Sequence, residues 1–564
     1  MASDAMAGGP ERRAALSWRV GLGLFALAVI VSAGVYRAAL DGPFVSDDYG
    51  YVAHNPLVAD GLALENLWPI FDPQGAGVAQ TVNYAPLHIL LHASVWEISG
   101  ADTRGHHLAN VVLHALVSVL LVAFFLRTGL PRPAAIAGGL LFLVHPANVE
   151  AVAWIFQLKT VASMALALAA LLAFRARPGV ATALFALALL TKISAAFALP
   201  VAFALAWTDD RRVGLRRADA GVLATWAVLT LVVGVLTWQA AQRGGLGEVE
   251  AARDAFVQAR TICALAARYV AMAATTWGLS TFHEPAPVTS WLDPWWLAGL
   301  AGLAASAWCT LAALRARRRE AVYWVFAANS WLPVSQIVPF PFPLADRYLY
   351  GILPGLIGLV LLAACRVSES GARFGSGVRP EAVTARVRAV TVAALLGLVV
   401  LFSARAVDRT RVWSSGALVT ADAAIHYPDG SLALLLSTTT AARRGDVDTT
   451  ARQLRELFER GYVQFGMIVG DPAYARVLRD PAVHAVIHDM AGWWTARARE
   501  LEHPTEDEAL ALRTGAPGPR RGGAGARTPR ARARARGRTH RAAARRTRPA
   551  VRRRRRVAGH AGGE

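Results

Sequence analysis

The chain is short of lysine, cysteine and charge, and each shortage narrows what it can be. Of 59 basic residues only two are lysines, Lys159 and Lys192. The three cysteines, Cys263, Cys309 and Cys365, all lie in apolar stretches, which excludes a disulfide framework and a cysteine-based zinc site. Charged residues make up 17% of the chain and hydrophobic ones 55%, whereas a soluble domain carries about 25% charged residues. A length of 564 residues would otherwise suggest three or four soluble domains. Apolar runs recur instead from residue 16 to residue 405, long enough to cross a bilayer at about 20 residues each. The expected fold is an all-α, polytopic membrane helix bundle.

The net charge of +20 does not indicate a nucleic-acid partner. From Arg513 onward there are 18 Arg against Glu564 alone, so that tail supplies +17. Almost devoid of large apolar residues, residues 515–564 are expected to be disordered. Their makeup fits a shifted reading frame in a GC-rich gene; a basic lipid-binding tail is the other reading. At the other end, Arg12, Arg13 and Arg19 precede an apolar run, as in a signal peptide. No clear A-x-A site follows, so the run reads as an uncleaved first span behind a cytoplasmic segment, 1–15.

Eleven spans are placed near 18–38, 106–126, 133–146, 148–174, 179–191, 193–207, 219–238, 292–313, 321–340, 349–365 and 388–405. The arginine-containing loops 127–133, 175–178, 209–217, 315–319 and 366–388 then fall on one side with the N-terminus, which the positive-inside rule makes the cytoplasm. Segment 41–105 falls opposite and holds eight acids against one base, Arg104. Residues 406–514 fall outside as well. Segment 254–280, interrupted by Arg260 and Arg268, reads as an amphipathic helix on the outer interface.

Segment 41–105 is long and rich in aromatics, and a long ordered loop is commonly functional. Asp47 and Asp48 follow the first span directly. One of two adjacent carboxylates can act as a general base toward an attacking hydroxyl; alternatively the two are solvated turn residues, or cap a helix starting at Tyr49. Tyr84-Ala85-Pro86-Leu87 opens a short amphipathic helix bearing His88 and His92. This i, i+4 pair could ligate zinc with a third donor from His106, His107 or His114; without an H-E-x-x-H pattern, interfacial packing is the other reading. A metal is neither required nor excluded.

Both lysines sit in apolar surroundings, where a cation costs roughly 2.5–3.5 kcal/mol and is expected to face a partner or a polar cavity. His145–Glu150 forms an external turn, with Lys159 nine residues further on, about 14 Å along a continuous helix. Asp346-Arg347-Tyr348-Leu349-Tyr350 heads another span on the outer side, where an arginine fork suits a phosphate; pairing with Asp346 or snorkelling is the alternative for Arg347. External carboxylates, a lateral lysine and an external arginine together describe a site for a hydroxyl nucleophile and a lipid-borne phosphate leaving group.

FVSDDYGYVAHNPLV, YAPLHILLH, HPANVEAVAWIFQLKTVAS and FPLADRYLY, in that order, resemble the GT-C membrane glycosyltransferases. Among these they look like the O-mannosyltransferase-like proteins in which a transmembrane part precedes tetratricopeptide repeats. The resemblance covers residues 16–405, and HP-x-x-x-EAVAW is its most specific motif. It implies a polyprenyl-phosphate sugar as donor, a base at Asp47 or Asp48, and Arg347 facing the donor phosphate; the position of Lys159 makes it the second donor-phosphate candidate. His145, Glu150, Tyr84, His88 and Tyr348 are further substrate-site candidates. The Lys159-Thr160 pair departs from the pattern, which has Arg or Lys followed by Asp. Residues 432–445 and 449–461 resemble a degenerate tetratricopeptide unit, and 471–490 suggest another helix pair.

The leading reading is therefore a glycosyltransferase that moves a mannose-like sugar to an acceptor hydroxyl on protein or glycan, without a cofactor. The site would face the periplasm from a bacterial inner membrane. A non-catalytic scaffold presenting its helical domain to partners is the alternative. A transporter lined by Lys159 and Lys192 is a third, but the two halves show no clear internal repeat.

Overall fold

The computed structural model describes residues 16–81, 83–209, 215–243, 254–340, 342–373, 380–463 and 465–498. Among these every regular element is helical, and the chain is a polytopic helical membrane protein. The expectations for 1–15, for 499–514 and for the arginine-rich tail lie outside the described residues.

Cα packing divides the chain between Ala433 and Leu434. The larger unit contains helix α1 (Trp18–Val35), α2 (Pro86–Ser99), α3 (Thr103–Arg127), α4 (Arg132–Leu143) and α5 (Val149–Ala153). It continues with α6 (Leu158–Ala173), α7 (Pro178–Thr191), α8 (Ala198–Asp209) and α9 (Arg217–Arg243). Then come α10 (Ala255–Thr275), α11 (Pro294–Arg315), α12 (Glu320–Trp331), α13 (Leu349–Arg373), α14 (Pro380–Val412) and α15 (Gly416–His426). Local chemistry sets several starts: Asp102 accepts the Arg104 N–H at 3.1 Å ahead of α3, and Asp293 accepts those of Trp295 and Trp296 ahead of α11. The core gathers Phe124, Phe125, Phe142, Tyr323, Phe326 and Tyr350. His114 is satisfied within it, between the Tyr350 hydroxyl and the Leu143 carbonyl, each at 3.0 Å.

Eleven spans were expected. Among the described residues six helices are long and apolar enough to cross a membrane, or seven if one bent pair counts as a single span. The expected spans 179–191 and 193–207 are shorter apolar helices, separated where Lys192 adopts an extended backbone. The expected boundary at 146/148 also moves. Val149–Ala153 belongs with α4 across a 51° bend, and the next candidate span begins at Ile155. Segment 254–280 is helical over Ala255–Thr275, with Arg260 buried and its guanidinium over the Trp291 ring.

The helix break at Trp154 does most to position the site. Trp154 is extended (φ −82°, ψ 119°), and a 3₁₀ turn, Ile155–Gln157, separates α5 from α6. Breaking a helix in an apolar setting strands backbone groups, which must find partners. The side-chain amide of Asn110 on α3 donates to the carbonyls of Val152, Trp154 and Ile155, at 2.9–3.4 Å. The Phe156 N–H is taken by Asp48 at 2.7 Å. Glu150 and Lys159 are therefore not spaced by a continuous helix.

The smaller unit has its own core of Leu454, Leu457, Phe465, Tyr474, Val483 and Met490. Helix α16 (Ser431–Arg444) runs into it, followed by α17 (Val447–Glu459) and α18 (Pro481–Ala498). Asp446 caps α17 through the Thr449 N–H at 3.0 Å.

Candidate functional site

The long loop 41–105 turns sharply at Ser46, whose φ of 52° lies in the left-handed region that side chains disfavour. A short π-helical turn, Tyr49–Ala53, follows. Strain and π turns concentrate at functional places, and here they send two consecutive carboxylates into different environments. Asp48 is fully buried and accepts the N–H groups of Val45 at 2.9 Å and Phe156 at 2.7 Å. Burial pushes its carboxyl well up, and those N–H donors with the Trp154 indole pull the other way. It fastens the loop to the break before α6 and does not cap the turn beginning at Tyr49. Asp47 is only half-buried. Burial raises its carboxyl too, opposed by the positive charges of Lys159 and Arg347.

Lys159, at the start of α6, lays its ammonium over the Phe156 ring at 3.6 Å and lies 5.5 Å from the Tyr51 ring centre. Tyr51 packs edge-on against Phe156 at 4.4 Å and donates its hydroxyl to the Thr81 carbonyl. The break therefore builds an aromatic seat for a lysine beside the loop carboxylate.

Arg347 comes from the turn that opens α13. Its backbone N–H donates to one oxygen of Glu150 at 2.7 Å and its guanidinium to the other. Its guanidinium carbon also lies 4.9–5.5 Å from the ring centres of Tyr348, Phe342 and Trp154. The alternative pairing with Asp346 does not form. Asp346 instead meets the His283 imidazole at 2.7 Å and, more distantly, Arg409 at 3.9 Å. Glu150, expected among the substrate-site residues, is 2% exposed and committed to Arg347. Tyr348 sits beside Arg347, its hydroxyl 3.4 Å from the guanidinium.

The remaining candidates are engaged by neighbouring groups of the fold. His145 accepts the Ala147 N–H through Nδ1 at 3.2 Å and binds the Ala273 carbonyl through Nε2 at 3.0 Å, so both nitrogens are occupied. Tyr84 donates to the Phe71 carbonyl at 3.1 Å and ties the loop together. His88 is buried between His92 and Phe156, with ring centres 4.6 and 5.6 Å away. Burial holds the imidazoles of His88 and His92 below their ordinary range, His92 at about 3. Among the described residues no group of three or more His, Cys, Asp or Glu is placed to hold a metal.

The sequence reading left Lys192 outside the site. Its ammonium reaches the Thr160 hydroxyl at 2.8 Å and lies within electrostatic range of Arg347 and Glu150. Thr160 in turn donates to the Gln157 side chain at 2.6 Å. The signal was present, since Lys192 is the only lysine besides Lys159, but sequence separation hid the convergence.

No family model matches the chain. It is similar to the protein O-mannosyl-transferase TMTC1 of Mus musculus, 35% identical over 177 residues, which cover 30% of this chain and 19% of that protein. The human TMTC1 is 33% identical over 181 residues, covering 30% of this chain and 20% of the relative. The Drosophila melanogaster Tmtc1 is 35% identical over 161 residues, covering 27% of this chain and 18% of the relative. The chain thus spans about a fifth of the length of the curated relatives it matches. The resemblance read from the motifs and these likenesses agree on membrane O-mannosyltransferases.

Proposed function

We propose that the chain is an integral membrane glycosyltransferase of the GT-C type. It moves a mannose-like hexose from a polyprenyl-phosphate donor to a hydroxyl of an acceptor protein or glycan. One observation carries the reading: a half-buried carboxylate, Asp47, lies within electrostatic range of the cations Lys159 and Arg347. That is the charge arrangement a sugar transfer from phosphate requires, with a base for the incoming hydroxyl and positive charge for the departing oxygen.

Asp47 takes the proton of the acceptor hydroxyl as its oxygen bonds to the sugar C1. The bond from C1 to the phosphate oxygen breaks, and its electron pair stays on the phosphate. Glu150 holds Arg347 in place, and Asp48 holds the loop against α6 so that Asp47 keeps its position. The sugar-lipid is a substrate, and the scheme uses no cofactor. In this reading the N-terminus is cytoplasmic, and the site and C-terminal helices face the periplasm of a bacterial inner membrane.

The test is transfer in proteoliposomes, with polyprenyl-phosphate mannose or glucose offered alongside mixed peptide acceptors. Labelled sugar on peptide supports the reading. No turnover of either donor by well-folded protein removes it and favours a non-catalytic scaffold.

A further inference from the structure

We infer that Lys192 is a further phosphate ligand of this site and, with Lys159, receives the negative charge of the departing lipid phosphate. The inference rests on the glycosyl-transfer reading and concerns which side chains meet the phosphate.

Arg347 is the obvious phosphate ligand, but its guanidinium and its backbone N–H are both engaged by Glu150. The lysines are less committed. Lys159 rests over Phe156 at 3.6 Å and makes no ion pair within 4 Å among the described residues. Lys192 is held by one neutral oxygen, that of Thr160, at 2.8 Å. Thr160 orients the ammonium without neutralising it. Lys192 also lies where the helical run between Pro178 and Asp209 breaks, with extended backbone between α7 and the next turn. Broken helices within a membrane bundle are tolerated where they line a cavity or bind a ligand. Both ammonium-bearing side chains are only half-buried.

The charges close as the reaction requires. Lys159, Lys192 and Arg347 interact with one another and with the carboxylates Asp47 and Glu150. Three cations against two carboxylates leave one positive charge. Asp48 is left out of this count because burial raises its carboxyl well above the ordinary carboxylate range, which favours its neutral form. A glycosyl phosphodiester carries one negative charge and neutralises these five groups. After transfer Asp47 holds the acceptor proton and the five carry two positive charges, while the released phosphate monoester carries two negative ones. Without Lys192, Lys159 and Arg347 are already balanced by Asp47 and Glu150, and no positive charge is left for the phosphate.

The test is binding of radiolabelled undecaprenyl phosphate to purified full-length protein, alongside steady-state transfer. Lys192→Gln keeps a polar partner for Thr160 and removes the charge; Lys192→Arg keeps the charge. Lys192→Gln should weaken lipid-phosphate binding by about 100-fold and raise the donor KM with the acceptor KM unchanged, while Lys192→Arg retains most of the binding. A structural role for Lys192 would not separate the two KM values. Wild-type binding by Lys192→Gln overturns the inference, as does a wild-type protein that binds no undecaprenyl phosphate. Binding that depends on Lys192 in a protein that transfers no sugar keeps Lys192 as a phosphate ligand and removes the glycosyl-transfer reading. Should Lys192→Gln not fold, Lys192→Met takes its place in the same assay.

Discussion

Glu150 and Arg347, separated by 197 positions, are joined twice. One carboxylate oxygen accepts the Arg347 backbone N–H at 2.7 Å, and the other accepts its guanidinium. Glu150 is 2% exposed, so this is a buried pair whose Coulomb attraction offsets the loss of water only while both partners remain. Removing one partner should cost about 3–5 kcal/mol. Glu150→Gln and Arg347→Met should each lower thermal stability in detergent. The double variant should be less destabilised than the sum of the singles by about 0.5–3 kcal/mol. Additive losses would mean that the two side chains do not depend on each other.

The adjacent aspartates should separate cleanly by experiment. Asp47→Asn is expected to insert, fold and lose transfer. Asp48→Asn should instead lower the yield of folded protein, because an amide would turn a donor toward the N–H of Val45 or Phe156. Each buried N–H left unpaired costs about 1–3 kcal/mol. Size-exclusion recovery and transfer rate, measured on both variants, check this. Folded, inactive Asp48→Asn beside active Asp47→Asn would reverse the assignment.

These two residues also mark how far the sequence could be read. The hydrophobic runs, the long loop 41–105 and the C-terminal helix pairs follow from period and composition, which are local signals. The pair Asp47-Asp48 was visible as a candidate base, but which carboxylate is available depends on a hydrogen bond to Phe156, 108 positions away. The break at Trp154 was hidden for the same reason. It is stabilised by Asn110 and Asp48 from distant segments, so the apolar pattern of 148–174 looked continuous. The likewise distant contact between Lys192 and Thr160, 32 positions apart, left Lys192 out of the expected site.

The acid limb of activity should lie above the ordinary carboxylate range, because burial raises the Asp47 carboxyl and it must be ionised to accept a proton. Lys159 opposes that rise. Lys159→Met should therefore move the acid limb of kcat/KM to higher pH, beyond any fall in rate. A lower rate with an unmoved limb would show that Asp47 and Lys159 are not coupled.

His92 predicts a stability effect. Its imidazole titrates at about 3 in the folded chain against 6.5 for the free group, because burial disfavours the charged form. The unfolded chain thus binds the proton first as pH falls. The contribution of neutral His92 is complete above about pH 6.5 and is lost progressively as pH drops toward 3. Among the described residues both ring nitrogens of His92 are buried without hydrogen-bond partners, so His92→Leu should fold and show a shallower decline of thermal stability between pH 6.5 and 4. An unchanged pH profile would place the acid sensitivity elsewhere.

The central claim, that Asp47 is the base of a sugar transfer from lipid phosphate, is tested most directly by one comparison. Wild type and Asp47→Asn are reconstituted in proteoliposomes with labelled polyprenyl-phosphate mannose and peptide acceptors, and sugar on peptide is counted. The account predicts transfer by wild type and none by the equally well-folded variant. Equal transfer by both would contradict it.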